Sequence, residues 1–311
     1  MLGAGVVAVL VMALAGCTSQ VAAQVQAATA AGHVPVLASF YPLQYVAQRV
    51  GGDHVEVGSL TRPGVEPHDL ELSAQDVAAV NDAARDGLVV YLSGFQAAVD
   101  GAVQTVTSDP ADDVHVLDVR PTADLDLGAQ SDSEGPGGGS DPHFWLDPVR
   151  LAAVTKDVAD RLSQVDPAHA DDYQRNAAGL VADLHRLDTR YRNGLQECAS
   201  RELVTSHAAF GYLAQRYGLT QHGIVGLNPD AEPSPAQLAD VATFVRDHDV
   251  STIFFETLAS PAVAETVARE TGARTAVLDP IEGLTKDSAG DSYLSIMDSN
   301  LETLREGLGC T

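Results

Sequence analysis

The chain has 311 residues, of which 45% are hydrophobic and 20% charged, a composition typical of folded protein and not of a disordered acidic tail. This length exceeds that of one typical core and fits two domains of roughly 100 to 150 residues each. The 18 basic and 43 acidic side chains give a formal net charge of −25, which repels nucleic-acid phosphates and anionic lipids and attracts cations.

The first 17 residues are a short apolar run that ends at Cys17 and is too brief to anchor the chain across a bilayer. The run predicts a signal peptide, and its last four residues, Leu-Ala-Gly-Cys, resemble a bacterial lipobox. No Lys or Arg precedes the run, so either the natural start lies upstream or the amino group of Met1 supplies the positive end. We expect residues 1–17 to be a lipoprotein signal peptide and Cys17 to anchor an extracytoplasmic protein to the bacterial cell membrane.

The other two cysteines are Cys198 and Cys310. Thiols outside the cytoplasm are readily oxidised, so export predicts a disulfide between them that pins the C-terminal tail to the second lobe. The alternative is two unrelated buried thiols.

Residues 18–33 have no strand pattern and are interpreted as a tether. From residue 34 the pattern alternates between short apolar strands and amphipathic helices, which predicts a parallel sheet in an N-terminal lobe over 34–147. The expected strands are 34–39, 55–60, 88–92 and 114–118.

Within this lobe, residues 120–142 are rich in Asp, Gly and Ser and predict a flexible surface loop. A helical region follows over 148–199. Its long helix, about 168–195, spans some 40 Å at roughly 1.5 Å per residue and is interpreted as a stiff connector between lobes.

The C-terminal lobe, 200–311, repeats features of the first. Residues 203–219 match residues 36–52 at 6 of 17 positions, and Val-Leu-Asp occurs at both 116–118 and 277–279. We therefore predict an α/β fold of two similar (βα)4-type lobes with parallel sheets, joined by one long rigid helix, with a ligand site in the cleft between them.

Three of the ten histidines, His68, His143 and His207, lie where strands give way to loops or helices. In open α/β sheets ligands bind at the carboxyl ends of strands. The three are 75 and 64 residues apart, and Asp279 follows 72 residues later. Residues so far apart exclude a local zinc finger, but two lobes facing each other across a cleft bring such residues together.

Six short segments resemble, in the same order and over about 270 residues, the cluster A-I (cluster 9) solute-binding proteins, which are the zinc and manganese receptors of bacterial ABC importers. These segments are 64–69, 141–148, 205–212, 232–235, 254–256 and 278–280. The resemblance implies a receptor that is not an enzyme, works as a monomer, and passes its metal to a membrane permease driven by a cytoplasmic ATPase.

The resemblance also implies the metal ligands, which would be His68 and His143 from the N-terminal lobe and His207 and Asp279 from the C-terminal lobe. It places Glu256 beside the site, as a partner of a ligand or a substitute ligand. A carboxylate at a helix N-terminus is an equally good interpretation of that residue. Trp145 is expected to pack against His143 and fix its position.

Three imidazoles and one carboxylate suit tetrahedral Zn²⁺, whereas Mn²⁺ prefers a site with more carboxylates and is the alternative cargo. Many zinc receptors of this type carry a His-rich loop, but residues 131–140 are acidic and glycine-rich here. A zinc-dependent hydrolase and an adhesin for host proteins are alternatives of other classes. A hydrolytic zinc usually keeps three protein ligands and a water, which disfavours the hydrolase.

Overall fold

The computed structural model describes residues 20–109, 114–128 and 140–311. The predicted signal peptide, Cys17 and residues 129–139 of the predicted loop lie outside these residues. Within the described ranges, none of the helices combines the length and apolar character that crossing a membrane requires.

The N-terminal lobe is built on a four-stranded parallel sheet with strand order β2-β1-β3-β4. Its strands are β1 Val34–Ala38, β2 Val55–Ser59, β3 Leu88–Tyr91 and β4 Val116–Asp118. Its helices are α1 Gln20–Ala31, α2 Tyr41–Gly51, α3 Ala74–Asp86, α4 Ala97–Val106 and α5 Arg120–Ala123. In the central strands Val36 pairs with Val57 on one side and Leu88 on the other. Apolar side chains on both faces suit a parallel sheet covered by helices.

The C-terminal lobe has a second parallel sheet with the equivalent order β6-β5-β7-β8. Its strands are β5 Glu202–Thr205, β6 Thr220–Gly223, β7 Thr252–Phe255 and β8 Arg274–Val277. Its helices are α8 Gly211–Tyr217, α9 Pro235–Asp247, α10 Ala262–Thr271 and α11 Tyr293–Leu308. The same order in both sheets confirms the predicted fold of two similar α/β lobes.

Two helices connect the sheets, α6 Pro148–Val165 and α7 Ala170–Gly194. The Asp147 carboxylate accepts a hydrogen bond from the Val149 N–H at 2.8 Å and caps the start of α6. Helix α7 has 25 residues, a length of roughly 37 Å, and contacts α2 of one lobe and α11 of the other. The predicted long helix is therefore packed against both lobes.

Residues 20–31 of the predicted tether form a helix, which corrects that prediction. Helix α1 buries Val21, Val25 and Ala28 and contacts α3, β1 and β2. These residues follow one another at intervals of four and three, so they share one face of a helix that covers apolar surface of the sheet. The segment lacks a strand pattern, but its buried residues have helical spacing.

The ends of the predicted flexible loop at 120–142 are also folded. Residues Arg120–Ala123 form α5, and Gly128 forms an antiparallel bridge with Ser140. The Arg120 guanidinium donates to the Ser93 carbonyl at 2.8 Å and to the Ser140 hydroxyl. The predicted loop is therefore too long at both ends.

The predicted disulfide between Cys198 and Cys310 is present. It joins the segment after α7 to Cys310, two residues after the end of α11. Backbone hydrogen bonds from Ala199 N to Gly309 O and from Thr311 N to Glu197 O flank it. The C-terminus is thus fastened to the beginning of the second lobe.

Candidate metal centre

Four side chains from both lobes converge between the two sheets: His68, His143, His207 and Glu282. One ligand atom from each lies within 4.8 Å of the others. Glu282 Oε1 is 3.0 Å from His143 Nε2, 3.4 Å from His68 Nε2 and 3.5 Å from His207 Nε2. The cluster is almost enclosed, since only the His68 side chain is exposed, to 10%.

The fold explains why these residues meet. His68 lies in the loop after β2, His143 in the connection between β4 and α6, His207 two residues after β5, and Glu282 five residues after β8. All four follow the carboxyl ends of parallel strands, and the two sheets present these ends to each other. This is the position that open α/β sheets use for ligands.

The spacing of the cluster fits a small tetrahedral ion. Bonds of ~2.0–2.1 Å to a central Zn²⁺ place the four ligand atoms of a tetrahedron about 3.3 Å apart. The separations of 3.0, 3.4 and 3.5 Å from Glu282 Oε1 to the imidazole nitrogens lie around this value. Within the described chain, His207 Nε2 and Glu282 Oε2 are buried without a hydrogen-bond partner. An ion at the centre of the cluster would give such polar atoms a partner.

Two carboxylates contact the Nδ1 atoms of two of the imidazoles. Asp141 Oδ1 is 2.7 Å from His143 Nδ1, and Glu256 Oε1 is 2.7 Å from His207 Nδ1. When Nδ1 donates to a carboxylate, Nε2 carries the free lone pair, which is the state that binds a metal. The structure thus places Glu256 behind His207, outside the cluster of four.

His68 has a different environment. Its backbone N–H donates to Glu66 Oε1 at 2.9 Å, and its ring lies edge-on to Phe95 with centroids 4.8 Å apart. Burial and the negative charge of Glu282 raise the pKa of Glu66 to about 8. His68 is therefore fixed by its backbone and by an aromatic neighbour.

Asp279 does not belong to the cluster, in contrast to the expectation. Its Oδ1 accepts a hydrogen bond from the Ile281 N–H at 2.8 Å, and its backbone is paired with the Asn300 side chain at 3.0 and 2.7 Å. Asp279 thus closes a tight turn, and the carboxylate that reaches the imidazoles is that of Glu282, three residues later.

The spacing of the site residues along the sequence does not distinguish Glu282 from Asp279. His68 and His143 are 75 residues apart (143 − 68), and His207 and Glu282 are also 75 apart (282 − 207). Asp279 lies only 72 residues after His207. His68 follows β2, whereas His207 follows β5, the counterpart of β1, so these residues are not equivalent positions of the repeat and their spacing selects neither carboxylate.

The carboxylates change how the site titrates. Burial lowers the pKa of His207, but Glu256 and Glu282 raise it by more, so that it lies well above the ordinary imidazole value. The pKa of His143 is likewise raised, because Asp141 and Glu282 outweigh its burial. Burial raises the pKa of Glu282, but the three imidazoles hold it well below its usual range. These shifts favour the protonated forms of His143 and His207 beside an ionised Glu282.

These shifts predict that zinc binding releases protons at neutral pH. An ordinary imidazole with a pKa of ~6.5 is mostly neutral at pH 7 and releases few protons, whereas His143 and His207 must lose theirs before they bind the metal. We expect at least about one proton released per zinc at pH 7, and an affinity that falls as the pH is lowered from above ~6.5. Calorimetry in buffers of different ionisation enthalpy measures this number, and an observed enthalpy that is independent of buffer at pH 7 would contradict it.

The stability of the zinc-free protein should change with pH in the opposite direction to the zinc affinity. A histidine whose pKa is raised by folding stabilises the folded state below its unfolded pKa of ~6.5, and this contribution is lost as the pH rises through the folded pKa. The free energy of unfolding without metal should therefore fall over the pH range in which zinc affinity increases.

Comparison with known proteins identifies the family of the chain. Residues 36–307 match the sequence model of the family described as ZnuA, zinc-uptake complex component A periplasmic. The chain is 36% identical over 286 residues to the zinc-binding lipoprotein AdcA of Streptococcus pneumoniae, which covers 88% of this chain and 56% of AdcA. It is 35% identical over 285 residues to the high-affinity zinc uptake system protein ZnuA of Bacillus subtilis. This match covers 88% of the present chain and 87% of the Bacillus subtilis protein. The chain thus spans little more than half the length of AdcA.

A solved structure extends the similarity to three dimensions. The Zn(II)-bound ZnuA-like domain of AdcA from Streptococcus pneumoniae matches with a TM-score of 0.74 at 36% identity, covering 89% of this chain and 99% of that domain. The predicted resemblance to zinc-type cluster A-I receptors is confirmed by these matches. With the family model covering nearly all of both lobes, the chain belongs to the ZnuA family of periplasmic zinc-uptake components.

Proposed function

We propose that this protein captures Zn²⁺ outside the cytoplasm and delivers it to an ABC-type metal importer. The observation that carries this proposal is the position of Glu282 Oε1, which lies 3.0–3.5 Å from the Nε2 atoms of three histidines. Such separations match the edges of a zinc tetrahedron. The ligands would be His68, His143, His207 and Glu282, with Asp141 and Glu256 orienting two of the imidazoles.

Zinc is the cargo favoured by the donor atoms. Three imidazole nitrogens and one carboxylate oxygen suit a four-coordinate borderline ion, whereas Mn²⁺ prefers more oxygen ligands and higher coordination. A manganese receptor of the same family is the alternative, and the experiment below separates the two.

We infer a carrier and not an enzyme. A hydrolytic zinc needs an open coordination position for water and a free base beside it. Here four protein side chains would fill the tetrahedron. The nearby carboxylates Asp141 and Glu256 each contact a histidine Nδ1 at 2.7 Å, which leaves neither oriented toward a metal-bound water.

The proposed location is extracytoplasmic, with lipid attached at Cys17. The disulfide between Cys198 and Cys310 suits an oxidising compartment, and the family description includes the word periplasmic. We propose as partners a membrane permease and its cytoplasmic ATPase, and a monomeric receptor. The net charge of −25 disfavours a nucleic-acid partner and favours the capture of cations.

The proposal is tested by the metal content of protein purified without added metal and by competition between Zn²⁺ and Mn²⁺ for a chelator and the protein. We expect about one zinc per chain, tight zinc binding and weak manganese binding. His207→Ala should weaken zinc binding by at least ~100-fold, because even residues that only orient a metal ligand contribute 10- to 100-fold.

His222→Ala is a matched control from the same lobe, since His222 contacts Glu202 at 2.8 Å and lies outside the cluster. It should leave zinc affinity unchanged. Tight manganese binding with weak zinc binding would overturn the choice of metal, and an equal loss in both histidine variants would overturn the site.

A further inference from the structure

Trp145 is a buried residue of the N-terminal lobe that makes two hydrogen bonds to the C-terminal lobe. Its indole Nε1 donates to the Pro280 carbonyl at 2.7 Å, and its own carbonyl accepts from the Tyr293 hydroxyl at 2.5 Å. The indole also lies against the His143 imidazole, with ring centroids 5.2 Å apart. One side chain thus contacts a histidine of the cluster and the backbone of the loop that carries Glu282.

The peptide bond between Pro280 and Ile281 is held at both of its polar atoms. Trp145 donates to its carbonyl oxygen, and its N–H donates to Asp279 Oδ1 at 2.8 Å. Proline has no N–H, so the carbonyl is the only backbone polar group by which Pro280 can be fixed. The Asn300 side chain anchors the preceding residue at both its N–H and its carbonyl. The orientation of this one peptide plane is therefore determined from two lobes.

The backbone at Ile281 needs such support. Its φ is +59°, and its side chain is fully buried. This left-handed conformation is costly for a β-branched residue, because Cβ approaches the carbonyl oxygen. Rotation of the preceding peptide plane would bring this φ toward negative values and relieve the strain. It would also change the direction in which the chain continues to Glu282.

We propose that Trp145 is a positioning residue for metal binding, which holds the 280–281 peptide in the orientation that directs the Glu282 carboxylate at the three imidazoles. The inference rests on the proposed function, since it assumes that the cluster binds zinc. It assigns to Trp145 a task beyond packing, because the indole N–H links the histidine side of the cluster to the carboxylate side across the lobe boundary.

A double-mutant cycle with Glu282 tests this inference, with zinc dissociation constants measured by chelator competition. Trp145→Phe removes the indole N–H and keeps an aromatic ring, and it should weaken zinc binding by about 10-fold. Added to Glu282→Gln, the same substitution should weaken binding by less than about twofold, because the residue through which Trp145 acts has already lost its charge. Loss of affinity by the same factor in both backgrounds would overturn the inference.

Phe144→Leu is the control for packing alone. Phe144 is fully buried and lies edge-on to the indole, with centroids 5.8 Å apart. The control should lower the midpoint of thermal unfolding and change the zinc dissociation constant by less than about twofold. An affinity loss in Phe144→Leu equal to that in Trp145→Phe would reduce the role of Trp145 to packing.

Two other outcomes distinguish a failure of the proposed zinc site from a failure of the positioning role alone. If Glu282→Gln alone leaves zinc affinity unchanged, the proposed ligand set fails and the positioning role fails with it. If Trp145→Phe does not fold, Asp279→Ala frees the N–H of the same peptide, and the same cycle with Glu282→Gln applies. Additivity in that cycle overturns the inference while leaving the zinc site in place.

Discussion

Glu282→Gln should raise the zinc dissociation constant by at least ~100-fold, because it removes the anionic ligand and keeps the volume of the side chain. Glu282 Oε1 lies 3.0–3.5 Å from all three imidazole nitrogens, and the residue is completely buried. A neutral amide oxygen is a poorer ligand for Zn²⁺ than a carboxylate oxygen, and solvent has little access to a buried site to replace it. Chelator competition at constant pH measures the change.

Asp279→Asn is the matched control for this substitution. It removes a carboxylate charge three residues earlier in the same buried loop, and the amide oxygen still accepts from the Ile281 N–H. We expect its zinc dissociation constant to change by less than ~10-fold, since the site residue itself is intact. If Asp279→Asn abolished binding and Glu282→Gln did not, the ligand expected from the family resemblance would be right and the arrangement of the cluster would be misleading.

The second large effect concerns stability. Replacing both Cys198 and Cys310 by serine should lower the free energy of unfolding by roughly 4–5 kcal/mol. The disulfide closes a loop with a sequence separation of 112 residues, and the chain-entropy model gives ~4.7 kcal/mol for a loop of about 100 residues. Denaturant unfolding of the zinc-free protein measures the loss, and reduction of the wild-type disulfide should give a similar value.

Zinc affinity should be nearly unchanged in the same variant. Cys198 precedes β5 and Cys310 follows α11, whereas His207 follows the carboxyl end of β5, so the disulfide and the cluster lie at opposite ends of the second sheet. A large fall in zinc affinity would contradict this separation of stability from binding. A loss of less than about 1 kcal/mol on replacing the two cysteines would contradict the chain-entropy estimate.

Most of the fold could be predicted from the sequence, because strands and helices are indicated by local sequence patterns. Short apolar runs separated by amphipathic helices predict parallel strands, and strands alternate with helices in both lobes of the described chain. The three histidines were also accessible, since each follows a predicted strand. Their convergence depends on two sheets facing each other, which the repeated segments at 36–52 and 203–219 indicated.

The fourth member of the cluster was less accessible, because its position depends on one backbone dihedral. Asp279 and Glu282 both follow β8, and pattern alone cannot show which carboxylate turns inward. The positive φ of Ile281, where isoleucine is disfavoured, directs the chain so that Glu282 reaches the imidazoles. Sequence propensity predicts the opposite conformation at that residue, so the sequence pattern did not point to Glu282.

Helix α1 was missed for another reason. A segment rich in alanine without a strand pattern was interpreted as a linker, although its three buried residues lie on one helical face. Whether such a face is solvated or docked depends on the surface offered by α3 and the first sheet, which belongs to distant parts of the chain.

With the lipid proposed at Cys17, the docked α1 would also limit how far the protein can move from the membrane. Cys17 lies three positions before Gln20, where α1 begins. At no more than ~3.6 Å per residue, these three positions reach about 11 Å, whereas a free tether over residues 18–33 would reach over 50 Å. A lipid on Cys17 would therefore hold the N-terminal lobe close to the bilayer with its α1 edge toward the lipid. The receptor would then reach the permease in a restricted set of orientations. A receptor on a long flexible tether would not be restricted in this way.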